Sequence, residues 1–156
     1  MINKVVLDSS VFCKLFLQEN DRQQAVDLVT ALIERNYKVI APTLFLYEVL
    51  AIAKMSSFSV LTAYELIAEF QKTQLELVSL DRTYIEKTIE ICETGHKKSG
   101  FPSFYDASYH ALAINQDCSF ITADKKHFSK TSQLGYTAVV EFLCNKARKL
   151  SQVSNL

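Results

Sequence analysis

The amino-acid sequence predicts an α/β protein, a three-layer α/β/α sandwich with a mainly parallel central sheet. Short apolar runs rich in Val and Ile alternate along the chain with longer segments of helical periodicity, as in βαβ units. The first run, KVVL at Lys4–Leu7, is almost wholly apolar, which is typical of a central strand covered on both faces. Right-handed crossovers between such strands would place helices on both sides of the sheet.

The 156 residues fit a single domain, expected over residues 1–150, with a frayed C-terminal tail at 151–156. Only three glycines and two prolines occur, which argues against repeats, linkers or a small β scaffold. Neither a signal peptide nor a long apolar segment is visible, so we expect a cytoplasmic protein without membrane contact. The four cysteines lack metal-ligand spacing and are expected to be reduced core residues: Cys13, Cys92, Cys118 and Cys144.

The strands are predicted from short apolar runs that stop at polar or turn-forming residues. CSFIT at 118–122 follows a turn-like Asn-Gln-Asp and stops at Thr-Ala-Asp, while LELVSL at 75–80 alternates in polarity. The predicted strands are Lys4–Leu7 and residues 37–41, 75–80, 118–122 and 138–140.

The helices are predicted from apolar spacing and from capping residues. Apolar residues at 25, 28, 29, 32 and 33 form one amphipathic stripe, and a glycine at 95 is expected to end a later helix. The predicted caps are Ser9 or Ser10 for a short helix at 11–17, Asn20 or Asp21 for the next helix, and Asp81 for a later one. Other helices are expected from Pro42 and Thr43 onward and at residues 60–70, 105–115, 125–130 and 141–150.

Glu48 is the most unusual charge in the chain, because the helix that Pro42 and Thr43 open is apolar nearly all round. A lone carboxylate is costly to bury unless it is paired, bound to metal or protonated. We therefore expect Glu48 to face a polar cavity or, more simply, the solvent.

Three further acids stand where strands end or a helix begins. Asp8 and Asp124 follow predicted strands, and Asp106 lies in the first turn of the helix at 105–115. In open α/β sheets, such positions meet in one crevice. Taken singly, Asp8 and Asp124 could be helix caps, and Asp106 could complement a helix dipole. If the acids converge, their repulsion favours a neutralising cation, and hard oxygen ligands suit Mg²⁺ or Mn²⁺.

Four segments, VVLDSSVF, LYEVLAIA, FYDASYHALA and FITADKKHF, occur in this order over roughly residues 5–140. Together they resemble the four acidic signatures of the PIN-domain ribonucleases, and within that family the VapC-like toxins of toxin–antitoxin pairs. YDASYHALA followed by TAD is fairly specific, whereas DSS alone is a weak signal.

The resemblance implies that Asp8, Glu48, Asp106 and Asp124 are the metal-binding and catalytic acids. Ser10 and Thr122 match hydroxyl positions that would orient ligands or the phosphate, although they could equally be a cap and a strand residue. His110 replaces a residue that is usually apolar in the family. Since it lies one turn after Asp106, it either approaches the site or is a hydrogen-bonded core histidine.

Formal net charge is zero, so RNA binding would depend on a local patch. The basic clusters are Lys97 with Lys98, then Lys125, Lys126, His127 and Lys130, and finally Lys146, Arg148 and Lys149. Each is a solvated face in the simplest interpretation. We expect Lys125 and Lys126, which follow the last acid, to contact the substrate.

The resemblance implies a metal-dependent endoribonuclease that hydrolyses single-stranded RNA with one or two Mg²⁺ or Mn²⁺ ions, forms a homodimer and is inhibited by a small antitoxin. A PIN nuclease of RNA processing without an antitoxin, or a catalytically silent PIN-like binding module, is the alternative. A phospho-acceptor receiver domain would need adjacent acids after the first strand, where this chain has Ser-Ser. A haloacid-dehalogenase phosphatase would need DxDx[TV], where this chain has DSSV.

Overall fold

The computed structural model describes residues 3–139, and within this range five strands form one sheet. The strands are β1 (Lys4–Leu7), β2 (Lys38–Pro42), β3 (Leu75–Val78), β4 (Ser119–Thr122) and β5 (Thr137–Val139). All neighbouring strands are parallel, in the order β3-β2-β1-β4-β5. The predicted α/β/α sandwich with a parallel sheet is therefore confirmed.

Seven α-helices connect the strands in the described range. They are α1 (Ser9–Cys13), α2 (Arg22–Glu34), α3 (Leu44–Met55), α4 (Val60–Thr73), α5 (Arg82–Cys92), α6 (Phe104–Asn115) and α7 (Lys125–Thr131), and a short 3₁₀ helix (Ser132–Leu134) follows. None of them is long and apolar enough to cross a membrane. The helix predicted at 141–150 and the tail at 151–156 lie outside the described residues.

The order in which the chain adds strands to the sheet changes direction after β3. It first moves from β1 through β2 to β3, then returns to place β4 and β5 on the other side of β1. With right-handed crossovers, this order puts α1 to α4 on one face and α5 to α7 on the other. The packing agrees, because α3 contacts both α1 and α4, and α5 contacts α6. A crevice is expected beyond the carboxyl ends of β1 and β4.

Helix α6 has more buried residues than any other helix of the described chain. Every residue from 107 to 113 is buried, and the helix packs against β1, β2 and β4. Small side chains at 107, 111 and 113 permit this close approach, while Tyr109 stacks on Phe120 of β4 with ring centroids 5.7 Å apart. This packing holds the first turn of α6 near the central strand.

Three local predictions need correction. Helix α1 is Ser9–Cys13 rather than 11–17, because Asp8, not Ser9 or Ser10, is the N-cap and accepts a bond from the backbone N–H of Ser10. Pro42 ends β2 instead of opening α3, since a proline is tolerated where a strand stops. Helix α5 already ends at Cys92, before Gly95.

Of the other local predictions, the cap at Asp81 and the reduced cysteines of the described range are confirmed, whereas the predicted capping bond of Asp21 is not formed. Asp81 caps α5 by accepting a 2.8 Å bond from the backbone N–H of Tyr84. Asp21 occupies the N-cap position of α2, but its carboxylate pairs with Lys14 at 2.8 Å instead of capping. The cysteines in the described range are free thiols, with Cys13 buried and the other two half-buried, and Cys144 lies outside that range.

Candidate acidic site

Asp8 lies at the carboxyl end of β1, beside the carboxyl end of β4. Its backbone N–H continues the parallel pairing by donating to the carbonyl of Ile121 at 2.9 Å. The residue is only 7% exposed. Burial raises the pKa of the Asp8 carboxyl, while hydrogen bonds from Thr122 and Ser10 act in the opposite direction.

Two hydroxyl groups tie Asp8 to the segment that follows β4. Thr122 Oγ1 donates to Asp8 Oδ2 at 2.6 Å and accepts from the backbone N–H of Asp124 at 2.9 Å. Ser10 Oγ donates to the same carboxylate oxygen at 2.9 Å and accepts from the backbone N–H of Ala123 at 3.2 Å. Each hydroxyl donates its proton to Asp8 and accepts a hydrogen bond from a backbone N–H. The segments that follow β1 and β4 are therefore held in a fixed relative position.

Glu48 projects from α3 and is half-buried. The phenol of Tyr109 on α6 donates to Glu48 Oε2, and Ser9 also hydrogen-bonds this carboxylate. Burial is the main reason that the pKa of Glu48 is raised, and the hydrogen bonds from Tyr109 and Ser9 lower it in part. The expected polar setting of Glu48 is thus present, with a buried tyrosine as its donor.

Asp106 is half-buried in the first turn of α6, as predicted. It forms a reciprocal pair with the N-cap residue: Ser103 Oγ donates to Asp106 Oδ2 at 2.8 Å and accepts from the backbone N–H of Asp106 at 3.1 Å. Asp106 therefore helps to start α6, which is the structural role that the sequence left open. Its pKa is raised mainly by burial.

Asp124 is the N-cap of α7. Its Oδ1 accepts from the backbone N–H groups of Lys126 at 2.8 Å and His127 at 3.2 Å. Asp8 and Asp124 are therefore both helix caps at the ends of neighbouring strands.

The four acids influence one another electrostatically. The charges of Asp8 and Asp106 both raise the pKa of Glu48. Asp106 also raises the pKa of Asp8, and Asp124 raises that of Asp106. Each acid is thus within electrostatic range of at least one other, as expected for carboxylates around a single crevice.

The donor atoms suit a hard divalent cation. Carboxylate oxygens are the preferred protein ligands of Mg²⁺ and Mn²⁺, and a cation would relieve the repulsion described above. Within residues 3–139, however, no three His, Cys, Asp or Glu side chains are positioned to hold one ion together. The residue types fit, whereas a shared ion would require the side chains to rearrange.

Lysines of α7 lie close to the acids. Lys125 and Lys126 are exposed at the start of the helix, where the backbone of Lys126 supports Asp124. Lys130 is half-buried in the last turn, and its charge lowers the pKa of Asp106. Sequence reasoning placed Lys130 in a basic cluster but not at the site, because its approach to Asp106 depends on how α7 packs.

His110 is a core residue, one of the two interpretations left open. It is fully buried, with Nε2 2.8 Å from the carbonyl oxygen of Gly135 and 3.2 Å from Thr137 Oγ1. Its ring lies 5.6 Å from that of His127, also buried, whose two ring nitrogens make no hydrogen bond in the described part of the chain. Burial lowers the pKa of both imidazoles, that of His127 to about 4.

Sequence reasoning missed the supporting roles of Ser9, Ser103 and Tyr109. From the sequence, Ser9 is expected only as a helix cap, and Tyr109 only as part of the helix at 105–115. The S-x-x-D spacing of Ser103 and Asp106 is a signal that could have revealed the first-turn pair. No comparable signal exists for Tyr109 and Glu48, which are 61 residues apart.

Comparisons with known proteins identify the family. A family model of the PIN domain matches residues 5–134. The chain belongs to the PIN-domain family. No curated protein has a significantly similar sequence.

Solved structures show the same fold. VapC20 of Mycobacterium tuberculosis, described as a toxin that cleaves the sarcin–ricin loop, is 16% identical, with 84% of this chain and 95% of that chain covered and a TM-score of 0.64. A toxin–antitoxin complex from Klebsiella pneumoniae is 14% identical, with coverage of 87% and 97% and a TM-score of 0.64. VapBC2 of Rickettsia felis, bound to promoter DNA, is 13% identical, with coverage of 87% and 96% and the same TM-score. At these identities the likeness concerns the fold, which is VapC-like.

Proposed function

We propose that this protein is a metal-dependent endoribonuclease whose site consists of Asp8, Glu48, Asp106 and Asp124. The observation that supports the proposal most is the mutual influence of the four acids around the carboxyl ends of β1 and β4, in a chain of the PIN-domain family. Acids that only support helix starts would not need to lie close enough to raise one another's pKa.

The protein's part in the reaction is to orient carboxylates and accept a proton. Asp8 is held by Ser10 and Thr122, so its position is fixed before any ligand binds. Glu48 and Asp106 are half-buried with raised pKa values, which suits them to accept the proton that the attacking water loses. Mg²⁺ or Mn²⁺ held by the four acids would supply Lewis-acid stabilisation of the phosphate charge.

Substrate binding is proposed to use cations of α7. Lys125 and Lys126 are exposed beside Asp124, and Lys130 lies nearer to Asp106. Cations at these positions would contact phosphates on either side of the scissile bond, and they would offset the repulsion between RNA and the acids.

We further propose a small antitoxin as the inhibitory partner and a homodimer as the active assembly. Among the solved structures of this fold, one is a toxin–antitoxin complex from Klebsiella pneumoniae, and VapC20 of Mycobacterium tuberculosis is described as a toxin. Large apolar side chains are exposed on α3 and α4: Tyr47, Met55, Leu61 and Tyr64. Such patches commonly mark protein interfaces.

A catalytically silent PIN-like binding module is the second candidate. It is favoured by the absence, within residues 3–139, of three carboxylates close enough to share an ion, and by the roles of three of the acids at helix starts.

One assay distinguishes the two proposed functions. The purified protein should cleave single-stranded RNA with Mg²⁺ or Mn²⁺ and lose this activity in chelator, whereas a silent module would bind without cleaving. Cleavage that chelator does not diminish would exclude the metal mechanism.

A further inference from the structure

Three exposed aromatic residues lie immediately before the acid of α6. Phe101 is 67% exposed, Phe104 42% and Tyr105 65%. We call these three residues the aromatic shelf. Single exposed apolar side chains are ordinary, but three large exposed rings within five residues are a concentration that needs an explanation. Tyr105 directly precedes Asp106, so the shelf adjoins the acidic site.

The shelf is built on an ordered turn. His96 and Gly100 exchange two backbone hydrogen bonds, of 3.2 and 2.8 Å, and close the loop between α5 and α6. The ring of Phe101 lies against Gly95, where an added Cβ would come within 2.7 Å of Phe101 Cδ1. Phe101 is thus held on one side by backbone while most of its ring is exposed, an arrangement that costs little ordering entropy when a ligand stacks on it.

The same loop is basic. Lys97 and Lys98 are exposed, and neither makes an ion pair within the described residues. Elsewhere in the described residues, the exposed apolar side chains are aliphatic on α5, with Ile85 and Ile89, and mixed on α3 and α4, and Tyr136 is exposed singly. Exposed aromatic residues close to lysines without an ion pair match the surfaces on which single-stranded nucleic acids lie, because bases stack on rings while cations contact phosphates.

We propose that the aromatic shelf stacks the bases of single-stranded RNA next to the cleavage site, with Lys97 and Lys98 contacting the adjoining phosphates. The inference rests on the proposed nuclease function and adds the surface that selects unpaired RNA. In a duplex the bases stack on one another and offer no free face, so the shelf favours single strands.

The test uses a single-stranded oligoribonucleotide containing 2-aminopurine, whose fluorescence is quenched when it stacks. Binding is measured in chelator, by quenching and by anisotropy, and cleavage is measured separately with Mn²⁺. Tyr105→Ala and Phe101→Ala should each weaken binding about 5- to 150-fold and reduce quenching. Tyr105→Phe keeps the ring and should bind like the wild type. Tyr136→Ala removes an exposed tyrosine that directly precedes β5, at the end of the sheet opposite the acids, and serves as the matched control.

The outcomes separate the inference from the proposed function. If the wild type cleaves RNA and both alanine variants bind and cleave as it does, the shelf is not a stacking surface, although the nuclease assignment stands. If the wild type neither binds nor cleaves RNA, both are wrong. If the alanine variants retain RNA binding but lose self-association in sedimentation experiments, the shelf is a protein interface and the inference is overturned.

Discussion

The phenol of Tyr109 on α6 donates a hydrogen bond to Glu48 Oε2 on α3 and so joins two helices that lie on opposite faces of the sheet. Tyr109 is 1% exposed, and burial together with the charges of Glu48 and Asp8 raises its pKa. The phenol therefore stays protonated and remains a donor at any physiological pH.

Replacing Tyr109 by Phe should remove this donor while keeping the ring. Hydrogen bonds to charged groups contribute about 1.5 to 3 kcal/mol, so we expect a loss of that order in the free energy of unfolding at neutral pH. The pKa of Glu48 should rise further, which would shift the acidic limb of the pH–rate profile upward. Tyr136→Phe, at an exposed tyrosine that precedes β5, is the control. Unchanged stability and pH profile in Tyr109→Phe would show that the bond is unimportant.

Asp106→Asn separates a catalytic acid from one that only supports the start of α6 through Ser103. The amide oxygen can still accept from Ser103, while one repelled charge disappears, so the metal-free protein should hold or gain stability. Activity should fall by orders of magnitude. A ligand that binds only the native state adds about 2.7 kcal/mol at a hundredfold excess over Kd, so Mn²⁺ should raise the melting temperature of the wild type more than that of the variant.

The matched control for this experiment is Asp81→Asn. Asp81 also caps a helix, but it lies on α5 and is exposed. Its replacement should leave both cleavage and the Mn²⁺ shift intact. An Asp106→Asn protein with full activity and a full metal-induced shift would remove Asp106 from the site.

Charge reversal at Lys125 and Lys126 should weaken RNA binding and flatten its salt dependence. The logarithm of the binding constant falls with the logarithm of salt by about 0.7 per phosphate contact for single strands. Lys130→Gln, closer to Asp106, should reduce the slope by about one such contact. Lys72→Gln replaces a lysine of α4 that is paired with Glu69 and serves as the control. A slope that none of these α7 variants changes would exclude this helix from the RNA path.

His127 should make the fold sensitive to acid. Its native pKa is lowered to about 4 by burial, against 6.5 in the unfolded chain. Between these two pH values, the unfolded chain takes up the proton while His127 stays neutral in the native chain. The stability that the buried neutral imidazole contributes is therefore complete above pH 6.5 and decreases as the pH falls toward 4. The loss should reach about 2 kcal/mol at pH 5.

His127→Phe and His127→Gln both remove the titrating imidazole. Between pH 7.5 and pH 5, the wild type should therefore lose more unfolding free energy than either variant does. Phe also removes two buried ring nitrogens that make no hydrogen bond in the described chain, so it should be the more stable variant at pH 7.5. Denaturant titrations at the two pH values provide the measurement. If the difference in unfolding free energy between each variant and the wild type were the same at both pH values, it would contradict the assignment of His127 as a buried neutral imidazole.

The toxin proposal predicts growth arrest on expression alone and rescue by a co-expressed small partner. The purified chain should also be a dimer at micromolar concentration, which sedimentation can establish. Asp8→Asn should abolish toxicity without abolishing partner binding, because the proposed interface and the acids use different side chains. A chain that is harmless, monomeric and without a copurifying partner would leave the toxin assignment unsupported.

The sequence alone predicted most of the fold and the family. Parallel strands with buried faces have recognisable apolar runs, and amphipathic helices have their own period, so β1, α2 and α6 could be placed from residues close together in the chain. Asp106 and Asp124 were found in the same way, since a helix start and a strand end are local events. The four acidic segments then indicated the PIN domain as a set.

The tertiary structure decided which groups touch the acids. Thr122 reaches Asp8 over 114 residues because β1 and β4 are neighbours in one register, and Tyr109 of α6 reaches Glu48 of α3 from the opposite face of the sheet. Lys130 acts on Asp106 only through the packing of α7. Local patterns cannot predict such contacts, because they depend on strand order and helix orientation, which are set by the burial of the whole core rather than by any one segment.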